Sequence, residues 1–292
     1  MLEVRVAAVD LRPMSLGEVL DRTFSLYKSR FWLFAGIAAL PYLTINILSL
    51  ATRQLISPLG SQPGTTVTPP QLTAALAGAL EGMLVFVLVL LCAYAAAQAA
   101  TVAAVSDLYL GRAASVRQSY ARVRGKLFSV IVVILLTGFL VVVGAIFLLI
   151  PGIILLCRTA LAVPAATLED VTVTEAISRS MKLTKGTAMG IFLVFVLYFL
   201  LSFVAALIFQ APFLFAAGSL FRPHAMSPAL EILASLAAWI SNVIVAPIAT
   251  VAFSLIYYNQ RILKEAFDLQ QLMAALDSDT GQTPRSGSAS PA

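Results

Sequence analysis

LIPGIILLCRTALAVPAATLED, residues Leu149 to Asp170, decides how this 292-residue chain folds. The stretch continues an apolar run, interrupts it at Pro151-Gly152, carries a single arginine, Arg158, and ends on two carboxylates. We interpret it as the return half of a membrane hairpin, in which Pro151-Gly152 turns the chain at the outer surface. The apolar segment after this turn is short for a membrane span. Its assignment therefore rests on the span before it and on the charges of the flanking loops.

The composition of the whole chain indicates a lipid environment. Hydrophobic residues make up 60% of the sequence and charged residues 11%, and the mean hydropathy is +0.94. A soluble domain cannot bury that much apolar surface. The net charge of +5 does not indicate a nucleic-acid partner, because no stretch is long enough to form a basic, water-facing domain. Cys92 and Cys157 lie in apolar runs, so we expect neither a disulfide framework nor a metal site.

Six stretches are apolar enough to cross a membrane as helices. A helix needs about 20 apolar residues for this, because its backbone groups must pair within the segment. The sequence therefore predicts an all-α, polytopic membrane protein with six transmembrane helices. The predicted spans are residues 31–51, 80–105, 127–149, 152–167, 187–217 and 233–257.

The Lys and Arg residues predict the orientation of these spans, since basic loops resist translocation. Sixteen of the nineteen fall on one side: in residues 1–30, in the loops after spans two and four, and in residues 259–292. We therefore expect a multi-pass protein of the bacterial cytoplasmic membrane with both termini in the cytoplasm. The outer loop from Thr52 to Ala79 is expected to be irregular chain, and the tail is expected to be disordered from about residue 277.

A short pattern recurs before each odd-numbered span. It consists of Ser or Thr, then Glu or Gln three residues later, then Arg four residues after that. Ser or Thr followed by Glu or Gln at this spacing is a capping box that begins a helix. The pattern predicts three amphipathic helices at the cytoplasmic interface, in contact with anionic headgroups, and a threefold repeat of one interfacial helix plus one hairpin. The copies are Ser15/Glu18/Arg22, Ser115/Gln118/Arg122 and Thr172/Glu175/Arg179.

The sequence lacks the residues that an enzyme would need. His224 is the only histidine and is predicted to lie in an outer loop. No Ser/His/Asp set, HExxH, GxxxxGK[ST] or GxGxxG motif is present, and no pair of carboxylates lies inside a span. We therefore expect a non-catalytic protein without cofactor or metal.

Arg158 is the one basic residue predicted within a span. An intramembrane arginine is costly, and its presence suggests either a structural partner or a bound anion. It lies six residues past Gly152, about 9 Å below the outer boundary at the helical rise, so outward snorkelling is a third possibility. Asn46 and Asn242 are the polar residues expected at a similar depth. These three residues form the candidate polar site, and Gln98 and Gln210 are predicted to hydrogen-bond between helices.

Three stretches together resemble the prokaryotic glycerophosphoryl diester phosphodiesterase membrane-domain family. They are RPMSLGEVLDRTFSLYKSRFWLF (residues 12–34), PGIILLCRTALAVPAATLED followed by EAISRSMKLTKG (residues 151–186), and YYNQRILKEAFDL (residues 257–269). The resemblance implies the six-span module alone, because the catalytic barrel of that enzyme and its paired histidines have no counterpart here. The family supplies no established site residue that could be carried over.

Two functions are favoured by the sequence, ahead of a third, an enzyme active at the membrane. The first is a non-catalytic membrane module that scaffolds a membrane protein partner in an envelope or lipid-related process. The alternative is a transporter or lipid-handling protein in which Arg158 binds an anionic group.

Overall fold

The computed structural model describes residues 14–56, 69–216 and 227–280. In this part of the chain every regular element is an α-helix. The helices are α1 (Leu16–Ser29), α2 (Phe31–Ile56), α3 (Pro69–Tyr109), α4 (Val116–Val123), α5 (Leu127–Phe147), α6 (Leu149–Thr159), α7 (Ala162–Leu168), α8 (Val173–Leu183), α9 (Ala188–Phe209), α10 (Ala211–Ala216) and α11 (Pro228–Thr280).

Six helical segments among the described residues are long and apolar enough to cross a membrane. This confirms the predicted all-α, multi-pass fold, including the short fourth span, which α6 and α7 build together. The segments are Phe31–Thr52, Ala77–Tyr109, Leu127–Phe147, Leu149–Leu168, Ala188–Phe209 and Pro228–Glu265.

The hairpin between spans three and four turns at a different residue from the one predicted. Pro151 and Gly152 lie inside the first turn of α6, and the chain reverses at Leu148, whose extended backbone (φ −160°, ψ 139°) separates α5 from α6. Gly152 instead permits close helix contact: a Cβ there would lie 2.8 Å from the backbone of Ala145. A proline is well tolerated in the first turn of a helix, where its missing N–H has no intrahelical partner.

Two further expectations need correction. The outer loop is shorter than predicted, because α2 continues to Ile56 and α3 begins at Pro69. Residues 57–68 lie outside the described part of the chain. The C-terminal tail is helical through Thr280, a few residues past the expected start of disorder, because α11 continues without a break from the sixth span. Residues 281–292 also lie outside the described part.

The spans are arranged as a closed ring of three hairpins. Hairpin 1 is α2 with α3, hairpin 2 is α5 with α6 and α7, and hairpin 3 is α9 with α11. The second helix of each hairpin faces the centre, where α3, α7 and α11 contact one another. The first helix of each packs against the preceding hairpin in cyclic order: α5 on α3, α9 on α6, and α2 on α11. The ring thus closes between the last hairpin and the first.

The three predicted amphipathic helices are α1, α4 and α8, and each begins where the sequence pattern places it. Ser15, Ser115 and Thr172 are the N-caps, and each side chain accepts a hydrogen bond from the backbone N–H three residues on. The reciprocal half of the capping box forms at Glu18 and Glu175. These caps supply partners for N–H groups that have none within the helix.

The same two positions are buried in all three amphipathic helices. The first position holds Val19, Ser119 and Ala176, and the second holds Thr23, Val123 and Ser180; all six side chains are at most 1% exposed. The helices also follow the cyclic order of the hairpins, with α4 on α3, α8 on α7 and α1 on α11. Burial of equivalent positions supports the repeat that the sequence pattern predicts.

Packing is tight at one end of the bundle and open at the other. Along α3, residues 99–109 are almost entirely buried, whereas Leu80, Met83 and Leu84 are 61–69% exposed. We call the packed end, which carries α1, α4 and α8, the basic face, and the opposite end the outer end. The outer halves of the spans leave apolar surface that the surrounding lipid would cover.

Candidate functional site

The basic face gathers most of the charge of the described chain. It carries thirteen Lys and Arg residues. The charged residues at the outer end of the described chain are Arg53, Glu81 and Glu231. This separation matches the charge bias of the sequence. The thirteen residues are Arg22, Lys28, Arg30, Arg112, Arg117, Arg122, Arg124, Lys126, Arg179, Lys182, Lys185, Arg261 and Lys264.

A buried carboxylate anchors α4 to the end of α3. Asp107 is 1% exposed, and its Oδ1 pairs with Arg112 at 2.9 Å and with Arg122 of α4. Its Oδ2 is buried and has no hydrogen-bond partner among the described residues. Since a buried carboxylate is costly unless paired, the two arginines and α4 are held in one arrangement.

Glu169 at the end of α7 and Glu265 within α11 anchor α8 in the same way. Arg179 pairs with Glu169 at 3.3 Å and with Glu265, and Glu265 also accepts from Arg261 at 2.8 Å. The Tyr257 hydroxyl donates to Glu169, so one network joins span four, span six and α8. The network is partly exposed, and its role is to fix geometry more than to add stability.

The turn before α8 is pinned to the start of α5. Lys126 donates to the backbone carbonyl of Glu169 at 3.0 Å and pairs with Asp170 at 2.7 Å. The hydrogen bond from Lys126, together with its charge, lowers the pKa of the Asp170 carboxyl below its ordinary value. The two carboxylates that close the opening stretch of sequence therefore lock the hairpin to its neighbours.

Helix α1 is held by a hydrogen bond from Tyr27 and by a cation–π contact of Arg22. The Tyr27 hydroxyl donates to the carbonyl of Ile244 at 2.6 Å, and the Arg22 guanidinium lies 5.6 Å from the centre of the Tyr109 ring. Such a cation–π contact is favourable at this distance. Arg22 thus contacts a neighbouring helix and forms no ion pair with Glu18, whose carboxylate accepts from the Ser15 N–H.

No hydrogen bond joins Arg158, Asn46 and Asn242, the three polar residues that the sequence predicts to form one site. Arg158 lies in the last turn of α6 and donates to the carbonyl of Met181 in α8 at 3.4 Å. Asn46 donates to the carbonyl of Ser235 at 2.8 Å and so joins span one to span six. Asn242 donates to Ala238 of its own helix. Each residue therefore has a separate structural contact.

The partner of Arg158 lies on the side opposite to the one that outward snorkelling, the third possibility, would require. That partner belongs to α8, which lies at the basic face. The reason is a break in the fourth span between α6 and α7, into which α8 packs. Ser180 and Thr184 donate to the carbonyl of Arg158 at 2.8 and 3.2 Å, so the backbone group freed by the break finds partners.

A cavity of about 350 Å³ lies between hairpin 2 and the helices α3, α9 and α11. A chain of three polar side chains lies along it: Thr250 donates to Gln98 at 2.5 Å, and Gln98 donates to the Tyr94 hydroxyl at 2.7 Å. The remaining lining is apolar apart from Thr137 and Thr159. The hydrogen bond between Thr250 and Gln98 confirms the interhelical contact that the sequence predicts for Gln98.

Tyr94 and Thr250 were not identified from the sequence as partners of Gln98 in this row of hydrogen-bonded side chains. Tyr94 and Gln98 are four residues apart and so share a helix face, which is a signal the sequence does contain. Thr250 gives no such signal, because its partner is 152 residues away and depends on the order of the hairpins. The cavity is therefore a product of tertiary packing.

Metal chemistry finds no support among the described residues, where no group of three or more His, Cys, Asp or Glu side chains could hold an ion. His224 lies outside the described part of the chain. The chain matches no family model, no curated protein and no solved structure at a significant level. The basic face and the cavity are therefore the features from which a function can be inferred.

Proposed function

We propose that this chain is a non-catalytic scaffold of the bacterial cytoplasmic membrane. In this proposal both termini are cytoplasmic, and the basic face binds anionic headgroups and a membrane protein partner. One observation carries the proposal: three capped, regularly repeated helices are fixed on one face of the bundle. Rigid elements hold interaction groups in place more accurately than loops do.

The exposed cations of the basic face support this function. Arg117, Arg124, Lys182 and Lys185 are exposed and form no ion pair with another described residue. Each cation near an anionic membrane surface contributes about 1 kcal/mol of attraction. Four such residues, within or just after the two fixed helices α4 and α8, are enough to select anionic lipid over neutral lipid.

The resemblance to the glycerophosphoryl diester phosphodiesterase membrane-domain family also supports a lipid-related setting. We propose membership of that family on the residues at 12–34, 151–186 and 257–269. Two of the three stretches include a capped amphipathic helix, so the motifs coincide with the elements that build the basic face.

The test compares lipid retention between two matched sets of substitutions. The first set neutralises the four cations as R117Q, R124Q, K182Q and K185Q. The second keeps their charge as R117K, R124K, K182R and K185R. After purification from mixed phosphatidylglycerol and phosphatidylcholine, we expect the neutralised protein to lose its enrichment in phosphatidylglycerol and the charge-preserving protein to keep it. Equal enrichment in both proteins would contradict the proposal.

A partner is tested in the same way. Crosslinking in native membranes should recover a specific membrane protein with the wild type and with the charge-preserving protein, but not with the neutralised one. A partner that is recovered equally with all three would not use the basic face.

A second candidate function, lipid handling, is favoured by the cavity between the spans. Its lining does not include Arg158, so this function would not use Arg158 as an anion ligand. The two candidates differ in where lipid binds: headgroups at the basic face, or a chain within the spans.

A further inference from the structure

The cavity opens sideways toward the lipid. Gly138, Val142 and Leu156 lie at its edge; Val142 is 56% exposed and Leu156 is 36% exposed. A Cβ placed on Gly138 would meet no atom within 4 Å, so there is open space beside this glycine. Because the lining belongs to membrane-spanning helices, a ligand would enter from the bilayer and not from water.

The hydrogen-bonded side chains Thr250, Gln98 and Tyr94, which line the cavity, include one donor that has no acceptor among the described residues. Thr137 and Thr159 donate to backbone carbonyls of their own helices, so they present mainly methyl groups to the cavity. Thr250 donates to Gln98, and Gln98 donates to the Tyr94 hydroxyl. Among the described residues no acceptor receives the proton of the Tyr94 hydroxyl.

The charge and the size of the cavity restrict what can fill it. Among the described residues, no Lys, Arg, Asp or Glu side chain lines it, so a phosphate or an ammonium group would lack a counter-charge inside. A volume of about 350 Å³ corresponds to roughly a dozen water-sized units. This is room for part of one hydrocarbon chain and not for a whole phospholipid.

We propose that this cavity binds one acyl chain of a lipid, with the Tyr94 hydroxyl donating a hydrogen bond to the carbonyl oxygen of that chain. The chain lies along the apolar wall made by hairpin 2 and by Phe195 and Phe253, and any charged headgroup stays outside. Gln98 and Thr250 orient the tyrosine hydroxyl. The site shares no residue with the basic face and does not depend on the scaffold function.

The experiment uses the full chain in nanodiscs and two photoactivatable probes. One probe is a fatty acid methyl ester that carries a diazirine on its chain, and the other is phosphatidylglycerol with the same group on one acyl chain. After irradiation and digestion, the site of labelling is mapped by mass spectrometry. We expect labels on residues 134–142 and 250–253. The probe that labels at the lower concentration identifies the source of the chain.

Two glycine variants provide the matched test. G138L fills the mouth of the cavity, and G82L places the same side chain on α3 at a glycine where a Cβ also meets no atom within 4 Å. We expect G138L to lower labelling of the cavity residues at least tenfold and G82L to leave it unchanged. Equal labelling in G138L and wild type would overturn the proposal.

The role of Tyr94 is tested separately through Y94F, which removes only the hydroxyl. One lost hydrogen bond should weaken competition by unlabelled fatty acid methyl ester about 2- to 10-fold, without a change in the labelled residues. Weaker binding of the ester, but not of a hydrocarbon of equal length without a carbonyl, would support the assigned donor. Unchanged binding of the ester in Y94F would refute it.

Discussion

The backbone of Met14 and the side-chain amide of Asn259 exchange two hydrogen bonds across 245 residues of sequence. The Met14 N–H donates to Asn259 Oδ1 at 2.8 Å, and Asn259 Nδ2 donates to the Met14 carbonyl at 2.9 Å. This pair joins the residue before the first N-cap to the last membrane span. It closes the ring of three hairpins at the point where the chain itself provides no connection.

Replacement of Asn259 should therefore weaken the closure of the ring. N259A removes both hydrogen bonds and leaves the Met14 backbone groups without these partners, which should lower the free energy of unfolding by about 2 kcal/mol. Unfolding in SDS mixtures measures this change. N242A is the control, because Asn242 bonds only within its own helix and should change stability by less than about 0.5 kcal/mol. Similar losses in both variants would contradict the closure.

The buried carboxylate of Asp107 should be the main anchor of α4. D107N removes the charge that pairs with Arg112 and Arg122, and hydrogen bonds to a charged group contribute about 1.5–3 kcal/mol. We expect a loss in this range in thermal unfolding in detergent. D21N changes an exposed aspartate of α1 and should leave stability unaltered, so a D107N protein as stable as D21N would show that the ion pairs are dispensable.

Close contact between α5 and α6 should make Gly152 intolerant of any side chain. G152A places a Cβ 2.8 Å from Ala145, and overpacking of this kind costs about 1–3 kcal/mol. G138A lies on the open side of α5 and should stabilise slightly, since alanine is the better helix former. The two variants are compared by unfolding in SDS, and a neutral G152A would argue against the observed hairpin geometry.

Acid should weaken the start of α8 through Glu175. Hydrogen bonds from the backbone and the side chain of Thr172 lower the pKa of this carboxyl below its ordinary value. A lowered pKa in the folded state means that the capping contribution is complete above the ordinary pKa and is lost as pH falls through the lowered one. Wild-type melting temperature should therefore fall more steeply below about pH 4 than that of E175Q, which keeps the acceptor but does not titrate. Parallel curves would show that the charge of Glu175 contributes nothing.

Local features of the sequence predicted the helices well. Hydropathy located all six spans, and the Ser and Thr caps located the three amphipathic helices, because both signals act within a few residues. Charge bias also supported the weak fourth span. These features need no knowledge of which helices are neighbours.

Features that depend on neighbours were not predictable in the same way. The hairpin turn lies at Leu148 because Gly152 is needed for contact with Ala145, and a sequence pattern cannot distinguish a glycine that turns from one that packs. Arg158 contacts α8 because the break in span four receives that helix. The cavity follows from the cyclic order of the hairpins, which no local pattern specifies.

Side-specific labelling of introduced cysteines tests whether α1, α4 and α8 form one basic face. Single cysteines replace the exposed residues Ser25, Ala121 and Ser178, with Ser227 as the outer reference, in a chain whose Cys92 and Cys157 are changed to alanine. With a membrane-impermeant maleimide and vesicles of both orientations, we expect the three helix positions to react from one side and Ser227 from the other. Reaction of any one of the three from the same side as Ser227 would contradict it.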